Sequence, residues 1–157
     1  MDINIGIKES DRRAVATGLC RLLANTNTLY LKTHNYHWNV RGPMFQTLHV
    51  LFETQYNELW LAGDLIAERI RALGEFAPGS YSIYSKLTSI STEDDDRFLS
   101  SDTMLKNLVY GHEAIVKIAR EIMPTAVQAG DDVSVDLLTQ RMEVSEKAAW
   151  MLRSLLG

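Results

Sequence analysis

Four side chains of metal-binding type, His49, Glu53, Asp64 and Glu68, lie within one stretch whose apolar residues recur at helical spacing. At about 100° per residue, with His49 as origin, Glu53 falls near 40°, Asp64 near 60° and Glu68 near 100°, so all four share one sector of a helix. Such a sector is either a solvated face or a surface that meets something. Tyr56 and Trp60 fall near it and Leu61 and Leu65 flank it, which favours contact with another chain. His49 and Asp64 are fifteen residues apart, a span of roughly 22 Å along a helix, whereas ligands of one ion converge to within about 2.5 Å of it. One helix therefore cannot bring them to the same metal. Two copies packed antiparallel about a two-fold axis can, because His49 of one copy then meets Asp64 and Glu68 of the other, and symmetry repeats the arrangement. His37, twelve residues before His49 across a Gly-Pro break, folds back to the same place. Two imidazoles facing two carboxylates, with coordination positions left open, suit Fe(II), with zinc as the competing ion.

The elements that must position these residues can be read from the same periodicity. A first helix is expected from Ser10, as N-cap, to Trp38, ended by "NVRGP". The second runs from Pro43 to Leu73 with Gly74 as its C-terminal stop, and Phe45, Leu48, Phe52, Leu59, Ile66, Ile70 and Leu73 make its apolar stripe. Residues 75 to 101 form a long connection holding one short helix, Ser80 to Lys86. A third helix spans Asp102 to Ala129 with a kink at Pro124, and a fourth Val133 to Leu156. The expectation is an all-α single domain over residues 1–157, a four-helix bundle with a short helix in the crossover between helices 2 and 3. No Glu is followed by His three positions later, so the Glu-x-x-His motif of an intrachain di-iron site is missing.

Composition narrows the setting. The 157 residues, 46% of them hydrophobic, support one core. The single cysteine, Cys20, has no partner for an internal disulfide, which fits a reducing compartment. The N-terminal stretch "MDINIGIKESDRR" lacks an apolar run of signal-peptide length, and no segment approaches a membrane span. A cytoplasmic protein is expected. A net charge of −4 opposes the electrostatic affinity that nucleic-acid binders rely on, and does not support nucleoid association.

"HWNVRGPMFQTLH" followed by "DLIAER" resembles the Dps mini-ferritins, the family of DNA-binding proteins from starved cells, and the similarity extends over nearly the whole chain. The resemblance implies that the bundle is ferritin-like and assembles into a hollow dodecamer with ferroxidase centres at its two-fold interfaces. His37, His49, Asp64 and Glu68 match the family's ligands at every position, Trp38 matches the aromatic residue beside the centre, and Glu53 matches an assisting carboxylate. It further implies oxidation of Fe(II), commonly with hydrogen peroxide, storage of the ferric mineral and protection from oxidative damage. Asp131, Asp132 and Asp136 fall where the family's shells carry acidic three-fold pores for iron entry; capping and the helix dipole explain aspartates there equally well. A DNA-condensing protein is the alternative reading, and a purely structural helical assembly a third. Members that condense DNA often do so through lysine-rich tails, and with only Lys8, Arg12 and Arg13 near the N-terminus and the last helix running to the C-terminus, no DNA-binding residues are expected. His34 reads as a surface or backbone-bonded histidine, His112 has no role legible in the sequence, and "TEDDD" is a solvated acidic loop.

Overall fold

The computed structural model describes residues 1–93 and 95–156; Asp94, of the "TEDDD" stretch, and Gly157 lie outside the described residues. The helices are α1 (Glu9–Asn39), α2 (Phe45–Ala72), α3 (Tyr81–Leu87), α4 (Ser101–Gln128) and α5 (Asp132–Arg153). They form a ferritin-like bundle in which α1 packs along α2 and α4, and α4 along α5.

Boundaries differ from expectation by one to three residues, the largest difference being α5, which ends at Arg153 rather than Leu156. Ser10 lies inside the first turn of α1, whose N-cap is Lys8 in extended conformation. Pro43 precedes α2 in a turn closed by Phe45 N–H donating to Gly42 O at 3.0 Å, with Gly42 at φ 109°, a value that only glycine adopts freely. The other end of α2 closes as a Schellman motif. Gly74, at φ 97°, donates to Arg71 O while Glu75 N–H reaches back to Ile70 O at 3.2 Å. The α4–α5 corner repeats it, with Gly130 donating to Val127 O and Asp131 to Ala126 O, both at 3.0 Å. Pro124 is accommodated within α4, which continues through it to Gln128.

The inner stripe of α2 is Leu48, Phe52, Leu59, Ile66 and Ile70, all buried against Leu19, Leu22, Leu23, Leu29 and Tyr36 of α1 and the apolar face of α4. Burying each such side chain stabilises by about 1.5–3 kcal/mol, so the rotation of α2 about its axis is fixed by its core face. Its opposite face, the one with the candidate ligands, is thereby turned outward. The long crossover is tied to α1 at two points. Asn25 Oδ1 accepts from Ser89 N at 2.9 Å and Ser89 Oγ at 3.0 Å. Further along, the buried Lys32 ammonium meets Asp95, which also accepts from Tyr36 Oη at 3.2 Å.

Candidate metal centre

The turn at 40–44 lays the start of α2 beside the end of α1, and this brings His37 and His49 together. The two rings stack at 3.8 Å between centroids with 17° between planes. Each Nδ1 lies 2.8 Å from the backbone carbonyl of the other residue, His37 Nδ1 with His49 O and His49 Nδ1 with His37 O. A carbonyl oxygen only accepts, so both Nδ1 atoms carry the proton and donate it. In the neutral rings both Nε2 atoms are then left with an unshared lone pair, the form in which imidazole binds a metal, and the second ring nitrogen of each is anchored as metal-ligating histidines require. Phe45 stacks on the outer side of His49 at 5.0 Å, and Tyr56 stands edge-on to His37 at 5.2 Å.

His34 is part of the wall of this centre. Its ring is stacked on Tyr56 at 3.9 Å and tilted against Trp38 at 4.1 Å, and its Nδ1 shares a hydrogen bond with Tyr30 Oη at 3.2 Å. Burial, and secondarily the neighbouring His37, lower its pKa below that of a free imidazole. Trp38 is thus placed through His34. The sequence shows the i, i+4 spacing of Tyr30, His34 and Trp38, but the contribution of Tyr56 from the other helix emerges only with the fold.

Asp64 and Glu68 are exposed on α2, far along the helix from the histidine pair, and Glu53 is exposed one turn beyond His49. Among the described residues, no three His, Cys, Asp or Glu side chains are grouped to hold a metal ion. The chain therefore presents two separate half-sets, paired imidazoles at one end of α2 and carboxylates towards the other. Between and beside them the large apolar side chains Trp60, Leu61 and Leu65 are 63%, 58% and 54% exposed, a grouping on one helix face of the kind that marks an interface.

The three aspartates at the start of α5 do not behave alike. Asp131 is buried, and its carboxylate caps α5 by accepting from Ser134 N at 3.0 Å and Ser134 Oγ at 2.6 Å while pairing with Arg69. Its lone pairs are committed to the corner. Asp132 and Asp136 are exposed, and Asp136 accepts from Gln140 at 2.7 Å.

His112 lies in the core, 1% exposed, with neither ring nitrogen hydrogen-bonded. Burial, reinforced by the Arg141 charge, lowers its pKa to about 3. The folded chain thus keeps this imidazole neutral while an unfolded chain protonates it below about pH 6.5. Unfolded chains bind the extra proton, so this contribution to stability is intact above pH 6.5 and is lost progressively as pH falls towards 3, by several kcal/mol. Urea unfolding midpoints should fall across that window in the unmodified protein and much less in His112→Leu; equal slopes would remove His112 as the cause.

Residues 16–157 match the ferritin-like domain family. A low temperature-induced protein of Nostoc sp. is 37% identical over 98% of this chain and 86% of its own length. The DNA protection during starvation protein of Porphyromonas gingivalis is 35% identical, covering 94% of this chain and 91% of the relative. Among solved structures, the Dps protein of Vibrio cholerae O1, a member of a broad superfamily of ferritin-like diiron-carboxylate proteins, superposes with a TM-score of 0.93 at 32% identity, covering 100% of this chain and 98% of the other.

Proposed function

The chain belongs to the Dps family of ferritin-like proteins, and on that premise we propose that it oxidises Fe(II) at centres shared between two copies and stores the ferric product within a hollow shell, a dodecamer. The observation that carries this reading is the reciprocal pairing of His37 and His49, whose Nδ1 protons are spent on each other's carbonyls. Two Nε2 lone pairs are then left for a metal on a chain whose own Asp64 and Glu68 stand far along α2.

An antiparallel pairing of α2 with its copy brings Asp64 and Glu68 of the second chain to His37 and His49 of the first, and puts the two-fold axis level with Asn57. Glu53, one turn from His49, adds a carboxylate at the edge of the same centre. The apolar surface of Trp60, Leu61 and Leu65 is covered in the same contact, which supplies the driving force for pairing. Fe(II) is the substrate. The carboxylates neutralise its charge, and the imidazoles hold it with positions open for oxidant. With hydrogen peroxide, two Fe(II) each give one electron, the O–O bond takes both, and two hydroxides result; no hydroxyl radical is released. Zinc, which takes the same ligands but has no redox chemistry, competes for the centre. Asp132 and Asp136, exposed at the start of α5, line the iron entry, and Asp131 serves them by fixing the corner.

The name of the Porphyromonas gingivalis relative, a DNA protection during starvation protein, favours a second role for this chain as well. We read it as chemical protection, through removal of Fe(II) and peroxide, because a net charge of −4 per chain repels phosphate. The leading reading is tested by particle mass. Apo-protein supplied with Fe(II) and peroxide should form a closed particle that gains mass as ferric mineral without changing its outer size. A particle that gains no mass, or a chain that stays monomeric, overturns it.

A further inference from the structure

Seven consecutive residues at the end of α1, Thr33 to Asn39, all belong to the weaker helix formers. His37 lies in this last turn, where carbonyls have no partner within the helix, and its own carbonyl is the one that accepts from His49 Nδ1. The reciprocal pairing of the two histidines therefore depends on a helix end that its own propensity does little to hold. The crossover supplies the missing support. Asp95 Oδ1 accepts from Tyr36 Oη at 3.2 Å and meets the Lys32 ammonium, and the Asp95 backbone carbonyl accepts from Asn35 Nδ2 at 2.9 Å. Lys32, Asn35 and Tyr36, at spacings of three and four, share one face of α1. Tyr36 Oη also accepts from Asn107 Nδ2 of α4 at 2.9 Å. Three residues beyond Asp95, the centre of the Phe98 ring lies 4.4 Å from the Arg41 guanidinium, in the turn that joins α1 to α2.

We propose that the crossover segment 95–98 is the positioning element of the histidine half-set, with Asp95 as its anchor: it keeps the last two turns of α1 helical and so holds His37 and His49 in register for metal. On the reading that these rings are ligands of the shared centre, Asp95 acts on a metal it never touches. The Lys32 and Asp95 side chains are only 4% and 15% exposed, so salt screens the pair weakly, and loss of Asp95 leaves a buried ammonium without its partner. The other tie of the crossover, Asn25 with Ser89, lies roughly 18 Å before His37 along α1. Loosening the crossover there should leave the histidines in place, which separates positioning of the centre from general support of the fold.

The test compares Asp95→Ala with Asn25→Ala in the full-length, assembled protein. In the metal-free Asp95→Ala particle, hydrogen–deuterium exchange over residues 36–44 should be about tenfold faster than in the unmodified protein, as local opening of a helix end predicts. Co(II), added as a probe and followed by its d–d band, should bind the centre about 10–100-fold more weakly, the loss that follows removal of a ligand's outer support. Asn25→Ala should change neither. Phe98→Ala, which removes an exposed ring, serves as the second variant should Asp95→Ala not assemble, and Phe98→Tyr, which keeps an aromatic face for Arg41, should bind Co(II) as the unmodified protein does. Unchanged exchange or unchanged Co(II) affinity in Asp95→Ala, or in Phe98→Ala where that variant stands in for it, overturns the proposal, as does an equal effect in Asn25→Ala. A Co(II) band that survives His49→Ala is a different failure: it removes the shared centre, and the exchange comparison still decides whether segment 95–98 holds the end of α1.

Discussion

His49→Ala, assembled and freed of metal, is expected to oxidise Fe(II) with peroxide on the order of a hundredfold more slowly than the unmodified protein, with the particle intact. Loss of an outer-shell partner of a metal ligand alone costs about 10–100-fold, and this substitution removes a ligand outright. It also removes the ring stacked on His37 at 3.8 Å, although the carbonyl of residue 49 that accepts from His37 Nδ1 belongs to the backbone and stays. The effects of His37→Ala and His49→Ala should accordingly fail to add, the double variant being scarcely slower than either single one. Asp64→Ala should produce a loss of the same order from the other end of α2. Stopped-flow absorbance of the ferric product gives the rates, and native mass spectrometry the assembly. Rates near those of the unmodified protein in either His49→Ala or Asp64→Ala would remove these residues from the centre.

The histidine and carboxylate half-sets were legible in the sequence because a helix is a ruler. Once α2 was assigned from its apolar stripe, residue spacing alone set the angle between candidate ligands and the impossible distance between His49 and Asp64. The hydrogen bonds that fix the histidine tautomers were not legible. They depend on the backbone path through Val40 to Met44, where Gly42 takes its positive φ, and no spacing rule gives the direction of a carbonyl. Asp131 could have been separated from Asp132 and Asp136 at the outset, since Ser134 stands three residues on, where an N-cap partner is expected; its ion pair with Arg69, from a different helix, could not. The ion pair of Arg141 with Glu58 joins residues 83 positions apart, and His112 shows no local pattern. These features exist only once α2, α4 and α5 are packed, so they were invisible where the outer face of α2 was plain.

Sharing of ligands between chains has a consequence that no intrachain site can imitate. One variant carries His37→Ala with His49→Ala, and a second carries Asp64→Ala with Glu68→Ala; each assembled alone should be nearly inactive, every centre having lost two ligands. When the two are unfolded and refolded together, a mixed pair joins the histidines of the second variant to the carboxylates of the first. That pair has one complete centre, and its other centre lacks all four ligands. Random association makes about half the pairs mixed, so about a quarter of all centres should recover. Iron oxidation in the mixture should therefore return to roughly a quarter of the unmodified rate, and should rise and fall with the ratio of the two variants, peaking at equal amounts. Centres built within one chain predict a different outcome, because each would still lack two ligands whatever its neighbour. Native mass spectrometry establishes that mixed particles have formed. A mixture proven to contain them that oxidises Fe(II) no faster than its parents would exclude ligand sharing across the two-fold axis.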